Sequence, residues 1–425
     1  MTALHRPARH PGPSRVPFPT VDEVSRHCVQ DAEPETVHIE VHLPHAPDPG
    51  RLRSALTEAF ARHPRALVRE AAGSRWRRRY EWELTAAADV DPLRFTPPGP
   101  GALEAARERA LATAPSLAQS PPIRLEVVGD VLVWTINHTA LDGPACLRVI
   151  ATTAELYGGR DNSPAAPAPL REAPAAAPAR APGSAWAPPA RVAPGTPGTV
   201  PGNSMLLVDL PVPRRPKGAP YTVNDQLMIA TALTLSEWNA ERGAAPRPLR
   251  ITMPVDDRPR GPEMPIGNGT RLVEVPFVPQ ELALPLPELL ARTADRTRAL
   301  KAVVRPQLGH GVKLLTTPVV PVGVRAAVTR GVRRAVGPWT STTLLSNMGR
   351  IAYPLDFGDA GVPSRIWVSA PARMPRGLTF TTVSTGGRLF LALRWSKALL
   401  GDADGAHLRD LFERHLSATS AAEER

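Results

Sequence analysis

Cysteine is almost missing from this sequence: Cys28 and Cys146 are the only two in 425 residues. They cannot supply a disulfide framework, and no Cys/His grouping has zinc-ligand spacing, so a metal-free protein of a reducing compartment is expected. Long apolar runs are missing as well. No stretch reaches the roughly 18 apolar residues of a membrane span. The N-terminus carries Arg6, Arg9 and Arg15 among prolines without the apolar core of a secretory signal. A cytoplasmic protein is therefore expected, although Val312 to Val336, apolar with interspersed arginines, is suited to touching a membrane surface. No internal repeat is evident. No helix-turn-helix, RNP or zinc-finger pattern accompanies the basic charge, which argues against nucleic acid as a partner.

What the chain has instead is length, proline and positive charge. At 425 residues it exceeds what one hydrophobic core organises, so two lobes are expected. Lys and Arg number 51 against 40 Asp and Glu, a formal charge of +11 that favours an anionic partner. The densest basic patch, Arg75 with Arg77, Arg78 and Arg79 around Trp76, reads as the solvated face of a strand or hairpin.

The apolar periodicity supplies the elements. Val37, Ile39, Val41 and Leu43 alternate with His38, Glu40 and His42, a half-buried strand whose histidines should face outward. Asp48-Pro49 caps a helix with Leu52, Leu56 and Phe60 on one face. A helix over Leu103 to Leu117 precedes a hairpin of Ile123 to Val127 and Val131 to Ile136, turned at Gly129-Asp130. His138 falls where the returning strand stops, and Asp142-Gly143-Pro144 opens a helix through Leu147 and Ile150. From 162 to 201 Pro, Ala and Arg dominate, the composition of a linker. Beyond it, a strand at Met205 to Leu210 leads to a helix capped by Asn224 and striped with Leu227, Met228, Thr231, Leu235 and Trp238. Strands follow at 249–255, 273–277 and 342–345. Helices are expected over 287–304 and in part of 312–336. A hairpin turns at Gly386-Gly387 before a last helix with Leu408, Leu411 and Phe412. The expected domains are 1–161, a linker 162–201, and 202–425.

His138 and Asp142 are four apart, a spacing that is cheap alone but informative at a strand end followed by a helix start. The motif resembles that of the coenzyme-A-dependent acyltransferase superfamily, which contains chloramphenicol acetyltransferase, non-ribosomal peptide condensation domains and wax-ester synthases. Its signature is His-His-x-x-x-Asp-Gly, met here at His138, Asp142 and Gly143 with Asn137 in place of the first histidine. Three more segments match in order: Thr222-Val223-Asn224-Asp225, Pro254-Val255-Asp256-Asp257-Arg258-Pro259 with Gly267-Asn268, and Leu345-Ser346-Asn347-Met348-Gly349.

The resemblance implies an α/β fold of two chloramphenicol-acetyltransferase-like lobes, each a mixed sheet with helices, and an active-site channel between them. It implies His138 as general base and a structural Asp142 paired with Arg258. The Gly143 amide is expected at the oxyanion, with Ser346 and Asn347 as further candidates. Asn224 is expected to cap its helix and Asn268 to serve a turn. No cofactor is expected to stay bound. The donor would be acyl-coenzyme A or a thioester on the phosphopantetheine of a carrier protein, and the acceptor a small amine or alcohol. Arg325, Arg330, Arg333 and Arg334 are candidates to dock an acidic carrier, against the simpler reading of an exposed helical face. Two competing readings are an inactive scaffold that docks a carrier protein and a wax-ester or lipid acyltransferase. Asp356-Phe357-Gly358 reads as a turn, since no other kinase motif accompanies it.

Overall fold

The computed structural model describes residues 14–160, 187–259, 263–303, 307–308 and 311–421. Arg6, Arg9 and most of the expected linker lie outside these residues. The strands are β1 (Arg15–Pro17), β2 (Thr36–His42), β3 (Val68–Glu70), β4 (Glu81–Leu84), β5 (Leu93–Thr96), β6 (Ile123–Val128), β7 (Val131–Asn137), β8 (Asn203–Pro211), β9 (Leu249–Val255), β10 (Arg271–Phe277), β11 (Thr343–Arg350), β12 (Arg365–Ser369), β13 (Leu378–Thr385) and β14 (Arg388–Ser396). The helices are α1 (Thr20–His27), α2 (Pro49–Arg62), α3 (Ala102–Ala112), α4 (Gly143–Tyr157), α5 (Val223–Glu241), α6 (Pro279–Leu282), α7 (Leu286–Ala302), α8 (Val322–Ala335) and α9 (Asp402–Ala421).

Two larger sheets organise the molecule, ordered β12-β2-β7-β6-β5 and β10-β9-β11-β13-β14-β8, and a smaller one runs β1-β4-β3. Both larger sheets are mixed: β5 runs parallel to β6, and β11 runs parallel to both β9 and β13. The long hairpin β13–β14 turns on Gly386 and Gly387, both at positive φ, as a two-residue turn matching the strand twist requires.

Each large sheet has its own core, and the two interlock. β12 comes late in the chain yet pairs antiparallel with β2, Arg365 opposite His42 and Ser369 opposite His38, and so completes the first sheet. Phe390 of β14 packs edge-on against Trp367 of β12 at 5.4 Å. Arg394, fully buried on β14, donates to the Thr36 carbonyl at 2.8 Å and to Asn203 Oδ1 at 2.8 Å. Burial pushes its guanidinium down to about 9.

Several local expectations are corrected. His38 and Glu40 do not face water: α3 lies over that face of the sheet, and Arg107 pairs with Glu40 at 2.6 Å. The α3 helix itself ends at Ala112, before Pro115, not at Leu117. Residues 71–80 form a loop rather than a strand, and the Arg75 and Arg77 carbonyls accept from Gly323 and Val322 at the start of α8. The C-terminal part of the expected linker is not merely a connection. Ala190, Val192 and Ala193 are buried in the second core, where the Ala193 carbonyl accepts from Trp238 Nε1 at 2.9 Å. Over 312–336 only α8 and a short 3₁₀ turn form, leaving Val324, Val328 and Val332 exposed. Phe357 of the Asp-Phe-Gly triplet fills the first core. No helix among the described residues is long and apolar enough to cross a membrane.

Two consequences can be measured. A Cβ at Gly405, in the first turn of α9, would overlap the buried ring of Trp395. The helix-propensity gain of Gly405→Ala is at most about 1 kcal/mol. Overpacking against a rigid indole costs about 1–3 kcal/mol, so the urea midpoint should fall. His63, at the end of α2, sets Nε2 2.7 Å from Thr152 Oγ1. Burial, reinforced by Arg148 and Arg62, pushes its ring down to about 4. A folded pKa below the unfolded 6.5 means the contribution is complete above pH 6.5 and is lost as pH falls towards 4, on the order of 3 kcal/mol. The stability lost between pH 7 and pH 5 should therefore be smaller in His63→Gln than in wild type. Equal losses would refute this.

Candidate active site

His138 stands on the rim where β7 and β12 end and β2 begins. Thr36 faces Asn137 across β2–β7, and the loop from Asn137 to Asp142 connects β7 directly to α4. Asn137 builds this loop rather than facing the channel. Its Nδ2 donates to the Pro115 carbonyl at 2.9 Å, its Oδ1 accepts from Thr139 N at 3.1 Å, and its carbonyl accepts from Ala140 N at 3.0 Å. His138 N donates to the Glu35 carbonyl at 2.8 Å. The backbone around the imidazole is thus fixed from both sides. Among the described residues, neither ring nitrogen makes a hydrogen bond, so the ring is held by its main chain and left open to whatever occupies the channel.

Asp142 is committed elsewhere. Its Oδ1 accepts from Ala145 N at 3.1 Å and caps α4; both oxygens accept from Arg258 Nη2, at 2.8 and 2.7 Å; Oδ2 also accepts from Gly269 N and Thr270 N. A buried carboxylate with five such bonds has no lone pair left for a proton relay. Arg258 reaches on to Asp256, 2.8 Å from Nε, and to the Gly267 and Pro265 carbonyls. Burial opposes its charge, yet Asp142 and Asp256 more than offset this and hold the guanidinium above its ordinary value. The pair ties α4 to the second sheet.

Among the described residues, the start of α4 has one uncommitted donor. Of its first-turn amides, Pro144 has no N–H, Ala145 is capped by the Asp142 side chain, and Cys146 donates to the Asp142 carbonyl. That leaves the Gly143 N–H at the positive end of the helix, on the channel wall. A Cβ at Gly143 would come within 3.2 Å of Met348 Cε.

Facing this rim from the second lobe are Ser346 and Asn347 of β11 and Asn224 of α5. Among the described residues, the Ser346 hydroxyl has only the Met348 sulfur as a hydrogen-bond partner, at 4.0 Å. Asn347 Oδ1 accepts from Gly349 N and Thr382 Oγ1, and its Nδ2 lies 3.4 Å from Asn224 Oδ1. Together these walls enclose a channel of about 690 Å³ in which His138, Asp142, Gly143, Ser346 and Asn347 meet; Arg258 sits behind Asp142.

Two asparagines differ from expectation. Asn224 does not cap α5: Thr222 and Asp225 form that cap as a reciprocal box, which frees Asn224 to face the channel. Asn268 is a clamp rather than a turn residue. Its Nδ2 donates to the His138 carbonyl at 3.2 Å, the Thr139 carbonyl at 2.9 Å and Asp22 Oδ1 at 2.9 Å. Burial lifts Asp22 to about 6 even though Asn268, Trp82 and Arg65 oppose it. Asp22, Ser25 and Glu35 carry no local signature that would assign them to the site. Arg325 is unavailable for docking a partner, because it is buried on Glu23 at 2.7 Å.

No family model matches the chain. The uncharacterised proteins Rv2305 and MT2362, from two strains of Mycobacterium tuberculosis, are each 30% identical to it over 403 residues, covering 86% of this chain and 91% of theirs. Among solved structures, the condensation domain of the monacolin K polyketide synthase MokA matches with a TM-score of 0.62 at 12% identity, over 97% of this chain and 98% of that one. The first condensation domain of the CDA synthetase matches at 0.61 and 17%, over 96% of each. The four-domain non-ribosomal peptide synthetase AB3403 matches at 0.63 and 13%, over 99% of this chain and 34% of that one. At such identities the likeness is one of fold, and the fold is the two-lobed one that the sequence motifs imply.

Proposed function

Because the chain belongs to one family with the mycobacterial protein Rv2305 and has the condensation-domain fold, we propose that it is a condensation-type acyltransferase working at the channel between its lobes. It moves an acyl or aminoacyl group from a thioester, on coenzyme A or a carrier protein, to an amine or hydroxyl of a small molecule. The lobes are read as 1–161 and 202–425, joined through 162–201.

The observation that carries this reading is the juxtaposition, in one channel lined by both lobes, of the His138 ring and the Gly143 amide, each without a partner among the described residues. An imidazole so placed takes the acceptor's proton as the acceptor's nitrogen or oxygen attacks the thioester carbonyl. The oxyanion that develops meets the Gly143 N–H, with Ser346 as a second donor. Collapse of the tetrahedral intermediate expels the thiol sulfur, which recovers the proton from the imidazolium. Asp142 and Arg258 hold the loop and take no part in proton transfer.

The test is mass-spectrometric: acyl-coenzyme A and acyl-carrier-protein donors are incubated with pooled amines and alcohols, and acylated product is sought. Product from one donor class supports the reading and identifies the donor. Tight binding of a carrier protein without product from any combination would replace it with the scaffold reading.

A further inference from the structure

Three arginines converge on one wall of the channel and outnumber the carboxylates there. Arg333 of α8 and Arg373, which follows β12, both donate to the Cys28 carbonyl, at 3.2 and 2.8 Å. Two guanidinium groups sharing one oxygen are like charges at close range, an arrangement that disfavours both unless an anion joins them. Arg376 donates from Nε to Ser341 Oγ at 3.1 Å and from Nη2 to Thr252 Oγ1 at 3.3 Å, both neutral acceptors. Among the described residues, the carboxylate paired with this group is Glu35, 2.6 Å from Arg373 Nη2. Its other oxygen accepts from Ser25 Oγ at 2.5 Å. Among the described residues, Arg333 and Arg376 have no carboxylate partner, so the wall carries two positive charges in excess.

The cluster belongs to the reaction chamber. Arg333, Arg373, Arg376 and Glu35 line the same channel as His138, and the Glu35 carbonyl holds His138 N. Of the five N–H donors of Arg376, three remain without a protein acceptor among the described residues, and a planar fork of that kind matches a carboxylate or phosphate. Ser341 and Thr252 fix the plane of the fork without neutralising it. Burial, with Arg373 and Arg333 adding to it, pushes the Arg376 guanidinium down to about 10, as expected of a cation waiting for an anion. A set of arginines serving only to tie backbone together would have no need to crowd one another beside a cavity.

We propose that Arg333, Arg373 and Arg376 form a subsite for an oxyanion, a carboxylate or phosphate, carried by the molecule that occupies the channel when His138 acts. The proposal rests on the acyl-transfer reading and narrows it: one of the two substrates is anionic within the channel. The same group on a neutral substrate is disfavoured, because it would leave the guanidinium cluster uncompensated.

Isothermal titration of the full chain at low ionic strength tests this with two matched pairs of probes, decanoate against decanamide and 4′-phosphopantetheine against pantetheine. Wild type should bind one anion roughly 10- to 100-fold more tightly than its neutral counterpart, the range expected of charged hydrogen bonds. In Arg376→Gln and in Arg333→Gln the preference should collapse to a few-fold, with Arg376→Lys retaining part of it and circular dichroism confirming the fold of each. A carboxylate preference places the anion on the acyl group or acceptor; a phosphate preference places it on the donor arm. Equal binding within both pairs by wild type, or a preference that survives both glutamine variants, overturns the subsite. Binding is read without turnover, so failure of the subsite and failure of acyl transfer are separate results.

Discussion

His138→Ala should lower the rate of acyl transfer by roughly 10²- to 10⁴-fold, the usual share of a positioned general base, while leaving the urea midpoint close to that of wild type. The two halves of this expectation come from one geometric fact. The imidazole makes no hydrogen bond among the described residues, whereas its main chain is held by the Glu35 carbonyl, by Asn268 and by the Asn137 turn. Removing the ring therefore removes chemistry without removing a tether. Product formation followed with the best donor, beside urea unfolding of the same preparations, separates the two. Unchanged turnover would dismiss His138 as the base. A collapse of stability with the activity would mean that the ring, not its backbone, holds the loop.

The second large effect is on stability. Asp142→Ala deletes a carboxylate that is 2% exposed and accepts from Arg258, Ala145, Gly269 and Thr270. The loss should be about 3–5 kcal/mol, because it strands a buried guanidinium as well as uncapping α4. The near-isosteric change Asp142→Asn would not spare the site: one carboxamide oxygen replaces two, and the NH₂ group confronts the donors that Asp142 now accepts from. Removing both charges, Asp142→Ala with Arg258→Met, should be less harmful than Asp142→Ala alone, since no unpaired ion is left behind. It should not reach wild-type stability, because the Gly269, Thr270 and Ala145 amides stay unmatched. Urea unfolding of the two variants decides this, and a double variant weaker than the single one would contradict the ion-pair account.

Much of the fold is written in short-range patterns. Alternation at Val37, Ile39 and Val41, the Asp48-Pro49 cap, the Gly386-Gly387 turn and the stripe on α5 each depend on neighbours a few residues away, and each element forms where its pattern lies. The motif around His138 is legible for the same reason. What is not legible depends on the direction of one side chain or on a distant element. Asn224 looks like a cap, but Thr222 and Asp225 together satisfy more of the orphan amides than Asn224 would. His38 and Glu40 occupy outward positions of β2, and only the docking of α3, whose own apolar pattern is weak, puts them inside. Glu35 and Arg373 meet across most of the chain, and no local pattern announces such a pair.

The pairing of β12 with β2 also sets an order of events. Ser364, which leads into β12, bonds to His42 across 322 positions of sequence. On a ribosome adding about 5–20 residues per second, β2 waits roughly 15–65 s before its edge partner exists. During that interval the rim that carries His138 has an open strand edge, a template for misplaced pairing until the chain is nearly finished. The N-terminal half should accordingly be an early client for chaperones, and a truncation ending before residue 365 should yield aggregates rather than a half-sized domain.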